Sequence, residues 1–581
     1  MKTTRILSVL LALALVLTGC STTPTPTTAP TTAPTTAPTT APTTAPTTAP
    51  ATEPTTEPTT VPTDPVVSGV VEIVLSDDTI LVDGAVIGTD ESAAVYAAHD
   101  IVYYEAGHDF TYGEGEKSDE HTADEAAAHT VVHITQPGTY SLSGQLSKGQ
   151  VAIDLGKDAE EDPTAVVTLI LNGVDITCEV APAVIFYNVY ECGSDDAETA
   201  TKDVDTSAAG ANVLIADGTV NNVKGSHVAR IYKPDSVVLN AAGTAVDDAK
   251  KLHKYDAAFY SKKTMNVSGG DLGTGVLNIH ADNEGLDSEL HLTINGGNIN
   301  IFSGNDGINT NEDGVSVTTI NGGTLKILVT GETGEGDGID SNGWLVFNGG
   351  TVITAACSFS MDAGIDSDMG IYLNGGTVIS TGGMLDHIVS GGQNYVVFSF
   401  SQKQDGTKTL CLKNEAGEAV LEHRPENDFT IMVFTSPDLT EGIYTLWSDG
   451  VQQSGVTGGV EGFPGMPGGS MGGEPGGSEG GEPGGSEGGE APSDPTEPAE
   501  GGEGSSGGGE PATDPTDPAE GGSEGGEDGT PTEPAEGSSG GGEGSEGGEP
   551  PAAEGDTTQE RSTEFRIVGD ENTFSQVGPA A

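Results

Sequence analysis

Acidic residues recur in one short phrase of this sequence. Asn283-Glu284-Gly285-Leu286-Asp287-Ser288 is followed by Asn305-Asp306-Gly307-Ile308-Asn309-Thr310, Gly336-Asp337-Gly338-Ile339-Asp340-Ser341 and Asp362-Ala363-Gly364-Ile365-Asp366-Ser367. In each copy an apolar residue sits between two polar positions. Side chains alternate along an extended chain, so Leu286, Ile308, Ile339 and Ile365 form an inward set. Asp287, Asn309, Asp340 and Asp366 then form an outward, solvent-facing column, with Glu284, Asp306 and Asp337 as a second column and Asp362 flanking the last copy. Carboxylates stacked about 4.8 Å apart repel by on the order of 3 kcal/mol per pair at an effective dielectric near 20. Either they hold protons or they share a hard cation, and calcium takes six to eight oxygens of this kind in flexible geometry. The column is also compatible with plain turn chemistry, since Asp-Gly and Asn-Gly favour tight turns. No Asp-x-Asp-x-Asp-Gly loop with a terminal Glu is present, which excludes an EF-hand.

Paired acids also serve glycan-cleaving enzymes, so a base must be sought. Between Asp271 and Tyr395 the basic side chains are Lys326 and three isolated histidines, His280, His291 and His387. Lys326 alternates with Leu325 and Ile327 and points to solvent. Lys262 and Lys263, one repeat earlier, are the other candidates. The alternative catalytic set is therefore Lys262, Lys263 and Lys326, and the primary reading has no catalytic residue.

The phrase is carried by a repeat. Asn-Gly-Gly stands at Asn295, Asn321, Asn348 and Asn374, at steps of 26, 27 and 26 residues, each followed by a short alternating run such as Thr324-Leu325-Lys326-Ile327. A strand-rich, glycine-turned period in the twenties predicts a solenoid without helices. The expected fold is all-β: a right-handed parallel β-helix followed by a small C-terminal β module, with a disordered Thr/Pro linker and a disordered Gly/Glu-rich insert.

Composition sets the rest. With 21 basic against 89 acidic side chains the net charge is −68, which excludes a basic face for nucleic acid. Lys2 and Arg5 precede an apolar run that ends in Leu17-Thr18-Gly19-Cys20, the pattern of a bacterial lipoprotein signal, with Cys20 as the lipidated residue. Residues 21–65 are tandem Thr-Thr-Ala-Pro units, a polyproline-type spacer. The expected domains are 1–20 signal peptide, 21–65 linker, 66–395 β-helix, 396–454 first part of the C-terminal β module, 455–561 acidic insert, and 562–581 final strands that complete the module. The chain is then monomeric, anchored to the outer face of the bacterial membrane by lipid alone, and reaches into or through the wall. Cys178, Cys192, Cys357 and Cys411 match no metal or redox spacing and read mainly as thiols, with a Cys178–Cys192 disulfide as the alternative.

The phrases Thr168-Leu169-Ile170-Leu171-Asn172-Gly173-Val174-Asp175-Ile176 and Phe259-Tyr260-Ser261-Lys262, the Gly-Ile-Asp-Ser turns and the Asn-Gly-Gly ladder resemble a clostridial-type, lipid-anchored family of carbohydrate-binding β-helix proteins. Ser436-Pro437-Asp438-Leu439 to Tyr444-Thr445-Leu446 looks like that family's C-terminal strands. The resemblance spans roughly Thr130 to Leu446 and Thr563 to Val577. It implies a pectate-lyase-like β-helix that binds plant polysaccharide without an established hydrolytic role. It also implies calcium ligands at Asp287, Asp306, Asp337, Asp340 and Asp366. Asn309, Gly336 and Ala363 depart from a uniform pattern. The Asp256 to Ser261 copy, lacking a second acid, is not expected to bind metal. A calcium-dependent pectate lyase and a non-catalytic structural or adhesin protein are the alternatives.

Overall fold

The computed structural model describes residues 69–458 and 560–580. Cys20, the Thr/Pro linker and nearly all of the acidic insert lie outside the described residues.

The described chain is almost entirely β, with one short α-helix, Ala123–Ala127, closed by a Thr122/Glu125 capping box. Most strands belong to three parallel ladders. The acidic phrases sit on one: Ala257–Ser261, Glu284–Ser288, Ile308–Thr310 and Ile339–Ser341 pair in sequence. A second joins Met265–Gly269, His291–Ile294, Val317–Ile320, Trp344–Phe347 and Ile371–Leu373. A third joins Val276–Ala281, Asn298–Ser303, Thr324–Val329, Thr351–Ala355 and Thr377–Gly382. The chain visits them cyclically, one strand of each per repeat.

Registers explain the sequence pattern. Leu286, Ile308 and Ile339 are aligned Cα to Cα, and with Ile365 they are fully buried. Ile299, Leu325, Val352 and Val378 form a second buried column. Burial of aligned Leu and Ile side chains contributes roughly 2 kcal/mol per residue. The Asn-Gly-Gly phrases turn the chain between ladders. Gly297, Gly323, Gly350 and Gly376 all have φ between 81° and 100°, a conformation that favours glycine. At the asparagine, each amide donates to the one a repeat earlier: Asn321 to Asn295, Asn348 to Asn321 and Asn374 to Asn348, all at 2.9 Å.

Two hairpin-like excursions interrupt the repeat before Asp256. In one, Val228–Tyr232 pairs antiparallel with Lys251–Tyr255. This second strand forms a strap that leads directly into the ladder strand Ala257–Ser261, and the repeat pattern gave no sign of it.

Past residue 395 the pairing turns largely antiparallel around a separate core that includes Phe398, Met432, Leu446, Phe565 and Phe574. Glu571–Pro579 runs parallel to Tyr395–Gln404 and antiparallel to Val451–Thr457, while Phe565–Ile567 pairs with Gly442–Ser448. Cys178, Cys192, Cys357 and Cys411 are free thiols, and burial pushes Cys178 up to about 12. No helix among the described residues is long and apolar enough to cross a membrane.

Candidate functional site

The ladder of acidic phrases places its polar residues in two files. Tyr260, Asp287, Asn309 and Asp340 are consecutive in register, and the Asp366 amide donates to Ile339 O at 2.7 Å, which extends the file by one repeat. Glu284, Asp306 and Asp337 form the second file through Gly285 N to Asp306 O and Gly307 N to Asp337 O, both 3.0 Å. The glycine between file and core is required by close stacking. A Cβ on Gly307 would lie 2.6 Å from Gly338 O and 2.2 Å from Ile327 Cγ2.

One expectation is corrected here. Neither file faces open solvent: Asp287 is 0% exposed, Glu284 5% and Asn309 8%, while Asp306, Asp337, Asp340 and Asp366 are half-buried. Alternation told which side these residues take, and it could not tell what lies on that side. The strap brings a cation to this side. Its Lys254 ion-pairs with Asp256 at 2.8 Å and also feels Glu284 and Asp287. Asp256, whose copy was not expected to take part, is thus buried beside the array. Lys254 is the functional residue that the repeat pattern missed, because it belongs to the excursion.

The acids are partly satisfied by each other's backbone. Asp306 accepts from Asp337 N and Asp362 from Gly336 N, each at 2.6 Å, and Asp337 accepts from Ala363 N. Asn311 donates to Asp287 at 2.9 Å and Asn309 to Glu284 at 3.2 Å. Four buried oxygens of the array remain without a partner: Glu284 Oε2, Asp287 Oδ2, Asn309 Oδ1 and Asp366 Oδ1. A buried acceptor left unmade costs about 1–3 kcal/mol, and more when charged.

Burial is the first cause that raises Glu284, Asp287, Asp306, Asp337, Asp340 and Asp366, with neighbouring carboxyls second. Asp287 is raised by Glu284, Asp306 by Asp340 and Asp337, Asp337 by Asp340, and Asp340 by Asp368. Glu284 and Asp366 are raised too, the first by burial and Asp256, the second by burial and a hydrogen bond with Asp386. Burial disfavours the Lys254 ammonium, yet Asp256 and Glu284 outweigh it and hold the group charged. One ammonium cannot neutralise this array.

The donor set consists of carboxylate and amide oxygens, the chemistry of a hard divalent cation. Among the described residues no three His, Cys, Asp or Glu side chains converge as a ready-made metal cluster. The oxygens are instead strung along successive repeats, so a cation would draw on side chains of adjacent strands and on backbone carbonyls. Four partnerless buried oxygens, spread over the two files, are the observation by which the residues present fit that group.

The alternative catalytic lysines lie apart. Lys326 is exposed on another ladder, in register with Asn300 and Ile353. Lys263 ion-pairs with Glu160 at 2.7 Å. Lys262 sits in a groove of about 560 Å³ between strap and ladder, together with Lys251, Lys254, Tyr260 and Glu289. Of the histidines, His291 is buried and accepts from Val317 N, and His280 stacks on Phe302 with ring centroids 4.9 Å apart.

Comparison with known proteins places this region in context. Residues 128–396 match the model of a family described as carbohydrate-binding domain-containing protein. A relative with the same description from Acetivibrio thermocellus is 29% identical over 172 residues, which is 29% of this chain and 44% of the relative. The chain therefore spans less than half the length of that relative. A solved structure titled as the polysaccharide lyase-like protein from C. thermocellum, gadolinium derivative, is 18% identical and covers 53% of this chain and 89% of its own, with a TM-score of 0.32. The stretch that carries the acidic ladder is thus the stretch similar to proteins described as carbohydrate-binding.

Proposed function

We propose that this chain is a lipid-anchored, cell-surface protein that binds plant cell-wall polysaccharide, with pectate as the first candidate, through a calcium-loaded acidic ladder. The observation that carries the reading is the set of partnerless buried oxygens on Glu284, Asp287, Asn309 and Asp366. The family match over residues 128–396 supports the polysaccharide part. In this reading the three ladders close as a right-handed parallel β-helix, Cys20 carries the lipid, and the chain acts as a monomer.

Glu284, Asp287, Asp306, Asp337, Asp340 and Asp366 would hold calcium, with Asp362 and Asn309 beside them. When bound, the cation supplies positive charge that a uronate carboxylate can share. The chain's own residues do the positioning: the glycine stacking fixes the strand spacing, and Lys254 neutralises the Asp256 end. Without a bridging cation, a chain of net charge −68 repels an anionic glycan.

A calcium-dependent lyase is the second reading. It is favoured by Lys262, whose ammonium is lowered by burial despite Glu289, with Lys263 and Lys251 adding to the effect. Against it, Lys254, the base closest to the acids, is held charged.

Retention of the chain on pectate, xylan and cellulose, with calcium and with EDTA, tests these readings while unsaturated-uronate absorbance is followed. Calcium-dependent retention on pectate without absorbance is the expected result. Growth of absorbance replaces binding with lyase chemistry. Failure to be retained on any glycan sinks both and leaves a structural or adhesin role.

A further inference from the structure

The turn that leads into the last acidic phrase carries an aromatic ring left in the open. Phe359 is 75% exposed, the most exposed aromatic side chain among the described residues. The ring forgoes the burial that holds the phenylalanines of both cores, such as Phe259 and Phe398.

This turn is firmly held. Both of its ends are tied to Gly336: Cys357 N donates to Gly336 O at 2.9 Å, and Gly336 N donates to Asp362 Oδ2 at 2.6 Å. Within it, Ser360 Oγ donates to the same Asp362 oxygen and Phe359 N donates to Cys357 Sγ at 3.4 Å. From outside, Lys403 Nζ donates to Ser358 O at 2.5 Å. The ring also has a backing in the preceding turn. A Cβ on Gly331, whose φ is 69°, would lie 3.0 Å from Phe359 Cδ2 and 3.4 Å from Cε2. The bare glycine lets the ring rest against the backbone.

Its place in the fold says what it serves. Gly336 immediately precedes Asp337 of the second acidic file, and Asp362 flanks the same file, so the ring stands beside the last repeats of the ladder. A protein partner needs a continuous apolar patch with a desolvated centre. Around this ring Ser358, Ser360 and Asp362 are half-buried and polar, and Met361 alone extends the apolar surface. A pyranose makes a different demand. One of its faces presents C–H groups that lie on the negative face of an aromatic ring, while hydroxyls and a uronate carboxylate stay at the rim. Polar turn residues then meet the hydroxyls, and the cation-holding file meets the carboxylate.

We infer that Phe359 is the platform on which the bound polysaccharide stacks a sugar ring, next to the acidic ladder. The inference rests on the polysaccharide reading and deepens it: the ladder supplies charge, and Phe359 supplies the apolar contact that a chain with 5% aromatic residues offers at few places.

Calorimetric titration of the full chain with trigalacturonate in saturating calcium tests this. Phe359→Ala is expected to weaken binding about tenfold, and Phe359→Tyr to keep it. In the Phe359→Trp variant, indole fluorescence should change when the sugar is added, a response that a role confined to holding the turn would not produce. The calcium-induced rise in melting temperature should be the same in every variant, since the ring is exposed and no oxygen of the array is altered. Unchanged affinity in Phe359→Ala overturns the inference and leaves the ladder reading standing. So does a Phe359→Ala variant that also loses the calcium-induced rise, because the ring then acts only through the turn. Unchanged affinity together with lost self-association in sedimentation gives the ring to a protein contact instead. If the wild-type chain takes up no trigalacturonate with calcium, the pectate reading fails and the inference falls with it.

Discussion

Individual side chains decide how this ladder responds to protons and cations. Glu284, Asp287, Asp306, Asp337, Asp340 and Asp366 are all raised above their ordinary values, first by burial. A group raised in the folded state binds protons more tightly there than in the unfolded chain. Its contribution is therefore favourable at low pH and is lost as pH climbs from the ordinary carboxylate value, about 4, through the raised folded values. In EDTA the melting temperature should fall between pH 5 and pH 9, and saturating calcium should flatten that fall. Scanning calorimetry across this range checks it; a metal-free melting temperature that rises with pH contradicts the buried array. Asp287→Asn gives a sharper contrast. The amide keeps the oxygen that accepts from Asn311 and removes a buried charge next to Glu284. It should stabilise the metal-free protein at pH 8 by about 1 kcal/mol or more, while reducing the stabilisation that calcium confers. A variant that loses stability in EDTA and keeps the full calcium effect would show that Asp287 has neither role.

Elements of the fold differ in how openly the sequence declares them. The Asn-Gly-Gly turns announce themselves twice, through a backbone that needs positive φ and through an amide ladder that needs asparagine. Asn321→Ala removes a donor to Asn295 and an acceptor for Asn348 together, and should cost about 1–2 kcal/mol. Denaturant unfolding measures it, and a loss no greater than that of an Ala substitution at the terminal Asn374 would deny the ladder its cooperativity. Leu286, Ile308, Ile339 and Ile365 were legible as an inward set for the same reason: a fixed period and one invariant residue type. The strap was not. Val228–Tyr232 and Lys251–Tyr255 carry no repeat, their pairing contains register shifts, and their effect is exerted on residues tens of positions away. Hence the acids could be assigned to one side of the strand, while Lys254, a residue of the excursion, and the burial of Asp287 leave no mark on the repeat.

At the scale of the molecule two cores are distinct, one shared mainly by the parallel ladders and one built mostly from residues after 395, with Ile379 of a ladder strand joining it. The second depends on residues from the far end of the sequence: Phe565 packs edge-on against Phe398 at 5.2 Å between centroids and against Phe574 at 5.0 Å. Removing 560–581 should lower the melting temperature of the 396–458 region and leave the parallel ladders folded, visible as one transition moved and the other kept. Coincident loss of both would mean that the cores do not unfold separately. The pairing of Glu571–Pro579 with both Tyr395–Gln404 and Val451–Thr457 has another consequence. A single cut of the backbone anywhere between 459 and 559 leaves every described strand of this module intact, distributed over two pieces. The fold is then a natural split protein: the short terminal piece, supplied as a separate peptide, should dock back between its two partner strands and complete the module in trans.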